Sequence, residues 1–120
     1  MESEQNKPTQ FDLLKDRITY EEAVFGNIGI YNKCLNNLLE DSKYIALSIR
    51  FPFQDYYEIE LPKKYNNWQL RCAEELYALI GKLNVKSYAE NGISWTRDSG
   101  NISDSLKEEI IPCVGVIKNE

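Results

Sequence analysis

The chain has 120 residues, 42% of them hydrophobic and 28% charged, with 19 acidic against 14 basic side chains and a formal net charge of -5. That length supports one domain with a real core rather than two joined by a linker, and the apolar fraction is that of a globular protein. The acidic balance, with Lys63-Lys64 as the one adjacent basic pair, argues against a protein that tracks nucleic-acid phosphates through a concentrated basic face.

Met1 to Pro8 is polar and lacks the apolar core and small-residue cleavage pattern of a secretory signal, so it reads as a loose tail. No stretch approaches the roughly 20 consecutive apolar residues of a membrane span, and no membrane partner is expected. Thr9 and Asp12 offer a cap for a short helix over Phe11, Leu13 and Leu14. Thr19 and Glu22 have the spacing of a capping box and predict a helix from Tyr20. From there Tyr20, Val24, Ile28, Tyr31, Leu35, Leu38, Ile45 and Ile49 recur at helical steps, with Ser42 filling the gap. Gly26, Asn27 and Gly29 lower helix propensity by about 2 kcal/mol together, which splits the stripe into a short helix over 20–25 and a long one over 31–50. Pro52 ends the long helix, and 54–60 is a connector.

Pro62 suits a helix start, and Tyr65, Trp68, Cys72, Leu76, Leu79 and Leu83 follow on one stripe up to the terminator Gly81. The two long helices should pack together with Leu38, Ile45, Trp68, Cys72, Leu76 and Leu79 in the core, giving a helical body over 20–83. Beyond it, Val85 to Glu90 and Ile93 to Arg97 flank Asn91-Gly92, the favoured dipeptide of a two-residue type I′ turn, and predict a β-hairpin over 85–97. In that register Tyr88 faces Trp95 and Glu90 faces Ile93, so the hairpin either protrudes as a docking arm or lies flat on its own helices. Ser103 caps a short helix over 103–111, ended by Pro112, and 113–117 is a short extended tail whose unpaired edge invites a partner. The expected fold is mainly α: a small helical bundle with one protruding hairpin and an extended C-terminal segment. Its interface candidates are Tyr88, Glu90, Asn91, Gly92, Ile93, Trp95, Val114, Val116 and Ile117.

The residues offer little for chemistry. There is no histidine, and Cys34, Cys72 and Cys113 are widely spaced, so neither a zinc site nor a Cys-His nucleophile assembles within one subunit; the cysteines read as reduced buried thiols, and no metal or cofactor is expected. The acidic pairs Glu21-Glu22, Glu74-Glu75 and Glu108-Glu109 point about 100° apart on a helix and read as solvated faces rather than catalytic dyads. The aromatic residues lack the interleaved arginines of a single-strand binder. A non-enzymatic protein that works by docking is the expectation.

Leu61-Pro62-Lys63-Lys64-Tyr65, Trp68-Gln69-Leu70-Arg71-Cys72, Glu75-Leu76-Tyr77, Ser87 to Trp95 and Ile111-Pro112-Cys113-Val114-Gly115-Val116 together resemble the head-tail connector (adaptor) proteins of tailed double-stranded DNA bacteriophages. The likeness extends back over Leu38 to Pro52, whereas Met1 to Ile30 does not match closely. The resemblance implies a mostly helical virion protein, made in the bacterial cytoplasm and assembled as a ring, commonly of twelve copies, beneath the portal protein. There it would extend the channel for passing double-stranded DNA without reading its sequence, and receive a head-closure (stopper) or tail protein. A small protein-binding or regulatory module that docks one partner is the competing expectation.

Overall fold

The structure, a computed structural model, describes residues 8–51, 59–91 and 102–111. The first helix, α1 (Gln10–Arg17), starts where expected because Thr9 and Asp12 close a full capping box: Thr9 Oγ1 accepts from the Asp12 amide and Asp12 Oδ2 accepts from the Thr9 amide, both at 3.1 Å. The second, α2 (Glu22–Phe25), is a single turn that begins later than Tyr20, with Glu21 as a cap that makes no side-chain hydrogen bond. Tertiary contacts override the local Thr19-Glu22 signal. The Tyr31 hydroxyl donates to the Ile18 carbonyl at 2.5 Å, and the Tyr20 ring lies 5.3 Å from Tyr31 and 6.0 Å from Phe25, which keeps the chain extended through Glu21.

Gly26 (φ +89°) ends α2 in a conformation that L side chains rarely adopt. The predicted break is real, yet α3 (Ile28–Arg50) resumes earlier than position 31, because Asn27 Oδ1 accepts from the Ile30 amide at 2.9 Å and caps the new helix. A 3-10 turn (Lys63–Tyr65) leads into α4 (Asn66–Ile80), which crosses α3 in the opposite sense. Tyr65 meets Arg50 at one end, and Tyr77 stacks on Phe25 at the other with ring centroids 6.2 Å apart. Between these ends Gln69 Nε2 donates to the Leu39 carbonyl at 2.8 Å. α1 lies along α4 in the same sense, held by Gln10 to Asn66 and Gln69 and by Arg17 to Asn67 and Glu74. Leu14, Phe25, Leu35, Leu38, Ile45, Cys72 and Leu76 are fully buried in the shared core, and Trp68 nearly so.

Leu79 does not join them. It is 50% exposed, and Ile80, 3% exposed, takes the core position. The buried stripe runs Tyr65, Trp68, Cys72, Leu76, Ile80, so Leu79 falls one residue, about 100°, off it, and Leu83 is carried outside altogether.

The predicted hairpin over 85–97 is not formed. Gly81 (φ +83°) turns the chain, a 3-10 turn (Lys82–Asn84) follows, and Val85–Asn91 is a helix, α5, that runs back beside α3. No strand occurs among the described residues. The helix wins because Val85, Tyr88 and Ala89 are all buried, and the spacing i, i+3, i+4 places them on one helical face but divides them between the two faces of a strand. α3 supplies what a short helix lacks: Asn37 Nδ2 donates to the carbonyls of Tyr88 and Ala89 at 3.2 and 3.1 Å, groups that a helix C-terminus leaves without internal partners. The described part of this region is therefore helical, and the expected hairpin is not found. The second half of the expected hairpin, and the expected tail over 113–117, lie outside the described residues.

The last element among the described residues is α6 (Asp104–Glu108), capped by Ser103, within the 103–111 span expected for it. It packs on the side of α4 that carries Trp68, Arg71 and Glu75.

Candidate interaction surface

Residues 102–111 form a strap on the outside of the α3–α4 pair. Ile102, Leu106 and Ile110 are buried at 3–5% exposure and provide its apolar footing. Its polar attachments are side chains of α4, of the turn before it and of the last residue of α3. At the strap's start, the Glu75 carboxylate accepts from both the amide and the hydroxyl of Ser103, each at 2.9 Å. Trp68 Nε1 donates to the Leu106 carbonyl at 2.7 Å, so the indole is buried without stranding its N–H. Arg71 forms a two-pronged pair with Glu109 at 2.8 and 2.6 Å. That pairing holds the Glu109 carboxyl below its ordinary range. At the end of the strap, Arg50 donates to the Ile111 carbonyl at 3.3 Å and the Tyr65 hydroxyl accepts from the Ile111 amide at 3.3 Å. Arg50 also lies over the Tyr65 ring, 5.6 Å from its centroid.

Ile111 is 62% exposed. It borders an open groove of about 370 Å³ lined also by Lys64, Tyr65, Asn67, Trp68, Arg71 and Glu109. Of these, Tyr65, Trp68 and Arg71 are of side-chain types enriched in protein interfaces.

The interface candidates from the sequence fall differently. Tyr88 has no exposed surface; its hydroxyl donates at 2.6 Å to Oδ2 of Asp41, itself 6% exposed. Tyr88 is thus a core residue in this structure and cannot serve as the tip of an arm. Glu90 is exposed on α5, and Asn91 is the last residue of that helix. Gly92, Ile93, Trp95, Val114, Val116 and Ile117 lie outside the described residues. Of the core candidates, Leu38, Ile45, Trp68, Cys72 and Leu76 are buried and Leu79 is not.

The attachment residues Arg50, Tyr65, Arg71, Glu75 and Glu109 were not singled out by the sequence as a site. One signal was present: Trp68, Arg71 and Glu75 are three and four residues apart, a second helical face beside the core stripe. The acidic pairs divide among separate partners. Glu21 pairs with Lys82, Glu74 with Arg17, Glu75 with Ser103 and Glu109 with Arg71. Among the described residues no group of histidine, cysteine, aspartate or glutamate has the arrangement of a metal site, and no helix is long and apolar enough to cross a membrane.

Burial pushes the Cys34 thiol up to about 12 and raises Cys72 further, in the latter case reinforced by the charges of Glu75 and Asp41. The thiolate is the reactive form, so both should resist alkylation in the native protein at pH 8 and react fully once it is unfolded, as peptide mass mapping would show. Rapid native labelling at either position would contradict their burial.

No family model, curated protein or solved structure matches this chain.

Proposed function

We propose that this chain is a non-enzymatic structural subunit of a tailed-phage virion, a head-tail connector that assembles as a ring under the portal and receives the head-closure or tail protein. The observation that carries the reading is that the residues bearing the resemblance act together. Trp68, Cys72 and Leu76 build the core face of α4, while Trp68, Arg71 and Glu75, with Tyr65 in the turn before the helix, hold the strap. Ile111, held by Tyr65 and Arg50, is the first residue of the last connector-like stretch, Ile111 to Val116. The acidic balance, -5 overall, suits a lumen through which DNA slides, since a basic lumen would accumulate phosphate affinity through counterion release.

The test is to image and weigh the purified chain alone and with portal particles from the same phage. Alone at micromolar concentration it should be monomeric or weakly associated, because among the described residues only Ile28, Leu79, Leu83 and Ile111 are exposed large apolar side chains. With portal it should add a ring of density beneath the vertex. A stable large ring without portal would overturn the assembly order, and a monomer or dimer that never binds portal would overturn the connector reading in favour of a small regulatory module.

A further inference from the structure

The ion pairs among the described residues take up Arg17, Arg71, Lys82 and Lys107. Arg50, Lys63 and Lys64 have no described carboxylate within ion-pair distance, and they stand together, because the two lysines precede Tyr65, whose hydroxyl accepts from Arg50. In a chain with a net charge of -5, this end of the α3–α4 pair concentrates positive charge. Arg50 carries the stronger signal. Its side chain is half-buried against the Phe51 and Tyr65 rings, 5.4 and 5.6 Å from their centroids. Among the described residues it donates to neutral oxygens, the Tyr65 hydroxyl and the Ile111 carbonyl, and its Nε is enclosed with no acceptor. A guanidinium taken partly out of water is usually repaid by a carboxylate, and this one is met by rings and dipoles.

The groove of about 370 Å³ opens beside this charge. Lys64 lines it together with Tyr65 and Ile111, the two residues that hold Arg50, and Ile111 gives it an exposed apolar lip. A cationic wall beside an aliphatic lip fits a segment that carries a carboxylate next to an aliphatic side chain. A nucleic acid fits less well, since the rest of this acidic chain repels a dense run of phosphates. We propose that the groove binds an acidic, aliphatic segment of a partner protein, with a carboxylate held in the field of Lys63, Lys64 and Arg50 and an apolar side chain laid against Ile111. Neither the ring nor the portal enters this inference, so its failure leaves the connector reading untouched.

The probe is a short fluorescein-labelled peptide of alternating aspartate and leucine, titrated with the full chain and followed by anisotropy. Binding should be measurable below about 1 mM and should weaken as salt is raised. Lys64→Glu should weaken it about tenfold through the reversed charge, and Ile111→Ser about fivefold through the lost apolar contact. Lys33→Glu makes the same change in net charge at an exposed position about 25 Å along α3 from Arg50, and should leave binding within about twofold. All three positions are exposed, so circular dichroism of each variant should match that of the unmodified chain. Amide shifts on adding the peptide should centre on Lys64, Tyr65 and Ile111. No binding at about 1 mM, equal losses from Lys33→Glu and Lys64→Glu, or shifts centred elsewhere would overturn the proposal. So would a short DNA duplex that binds at these residues where the peptide does not, or contacts in the free protein that fill the groove with the chain beyond Ile111 or with a second copy.

Discussion

Truncating Leu76 to alanine should lower the unfolding free energy by about 2–5 kcal/mol, the range for emptying a fully enclosed leucine site. Leu76 has no exposed surface, and it lies on the buried stripe that α4 turns toward α3. The neighbouring control sharpens the result. Leu79 is 50% exposed and Leu83 is 98% exposed, so alanine at either position should stay within about 0.5 kcal/mol of the unmodified chain. Denaturant melts of the three variants measure the difference directly. Equal losses at Leu76 and Leu79 would show that the core face of α4 has been placed one residue out of register.

The second large effect is expected at Tyr88. A tyrosine at the tip of an exposed hairpin contributes little to stability, whereas this one is wholly enclosed and bonds a buried carboxylate. Tyr88→Ala should therefore cost about 3–5 kcal/mol, as for other enclosed aromatic side chains. Tyr88→Phe keeps the ring but removes the donor that Asp41 accepts at 2.6 Å, and should cost about 1–3 kcal/mol. Loss of helical circular dichroism on heating reads both. If both variants melt with the unmodified protein, α5 does not pack as described and an exposed conformation of 85–91 becomes the better account.

The contrast between α4 and α5 shows what the sequence could reveal. α4 is 15 residues long, and its apolar stripe repeats often enough to be read without any knowledge of its neighbours. The capping box of α1 was equally readable, because both partners lie within four residues. α5 has seven residues, and over that length a helical and an alternating pattern are hard to separate. Asn91-Gly92 then tilts the reading toward a turn. What decides the matter lies far away in the chain: Asn37 and Asp41 on α3 satisfy groups of α5 that no local signal connects to them. The Thr19 box failed for the same reason, since Tyr31 holds the preceding carbonyl. The strap illustrates a third limit. Arg71 and Glu109 are 38 positions apart, and nothing in either local pattern marks them as partners.

The order of the strap's attachments bears on how the subunit would carry load. From Ser103 to Ile111 the strap meets Glu75, then Trp68 through Leu106, Arg71 through Glu109, and last Tyr65 with Arg50, so its two ends run against the direction of α4 while Trp68 and Arg71 are met in the order of the helix. A pull on Ile111 along that line strains these contacts together, as a lap joint is strained in shear, and the force passes into the longest helices of the fold. A pull at right angles meets the Ile111 bonds first and opens the rest one after another, like tape lifted from its end. The same fastening is thus stiff along the helix and weak across it, and the direction of a tug on the chain beyond Ile111 decides whether the subunit resists or lets go.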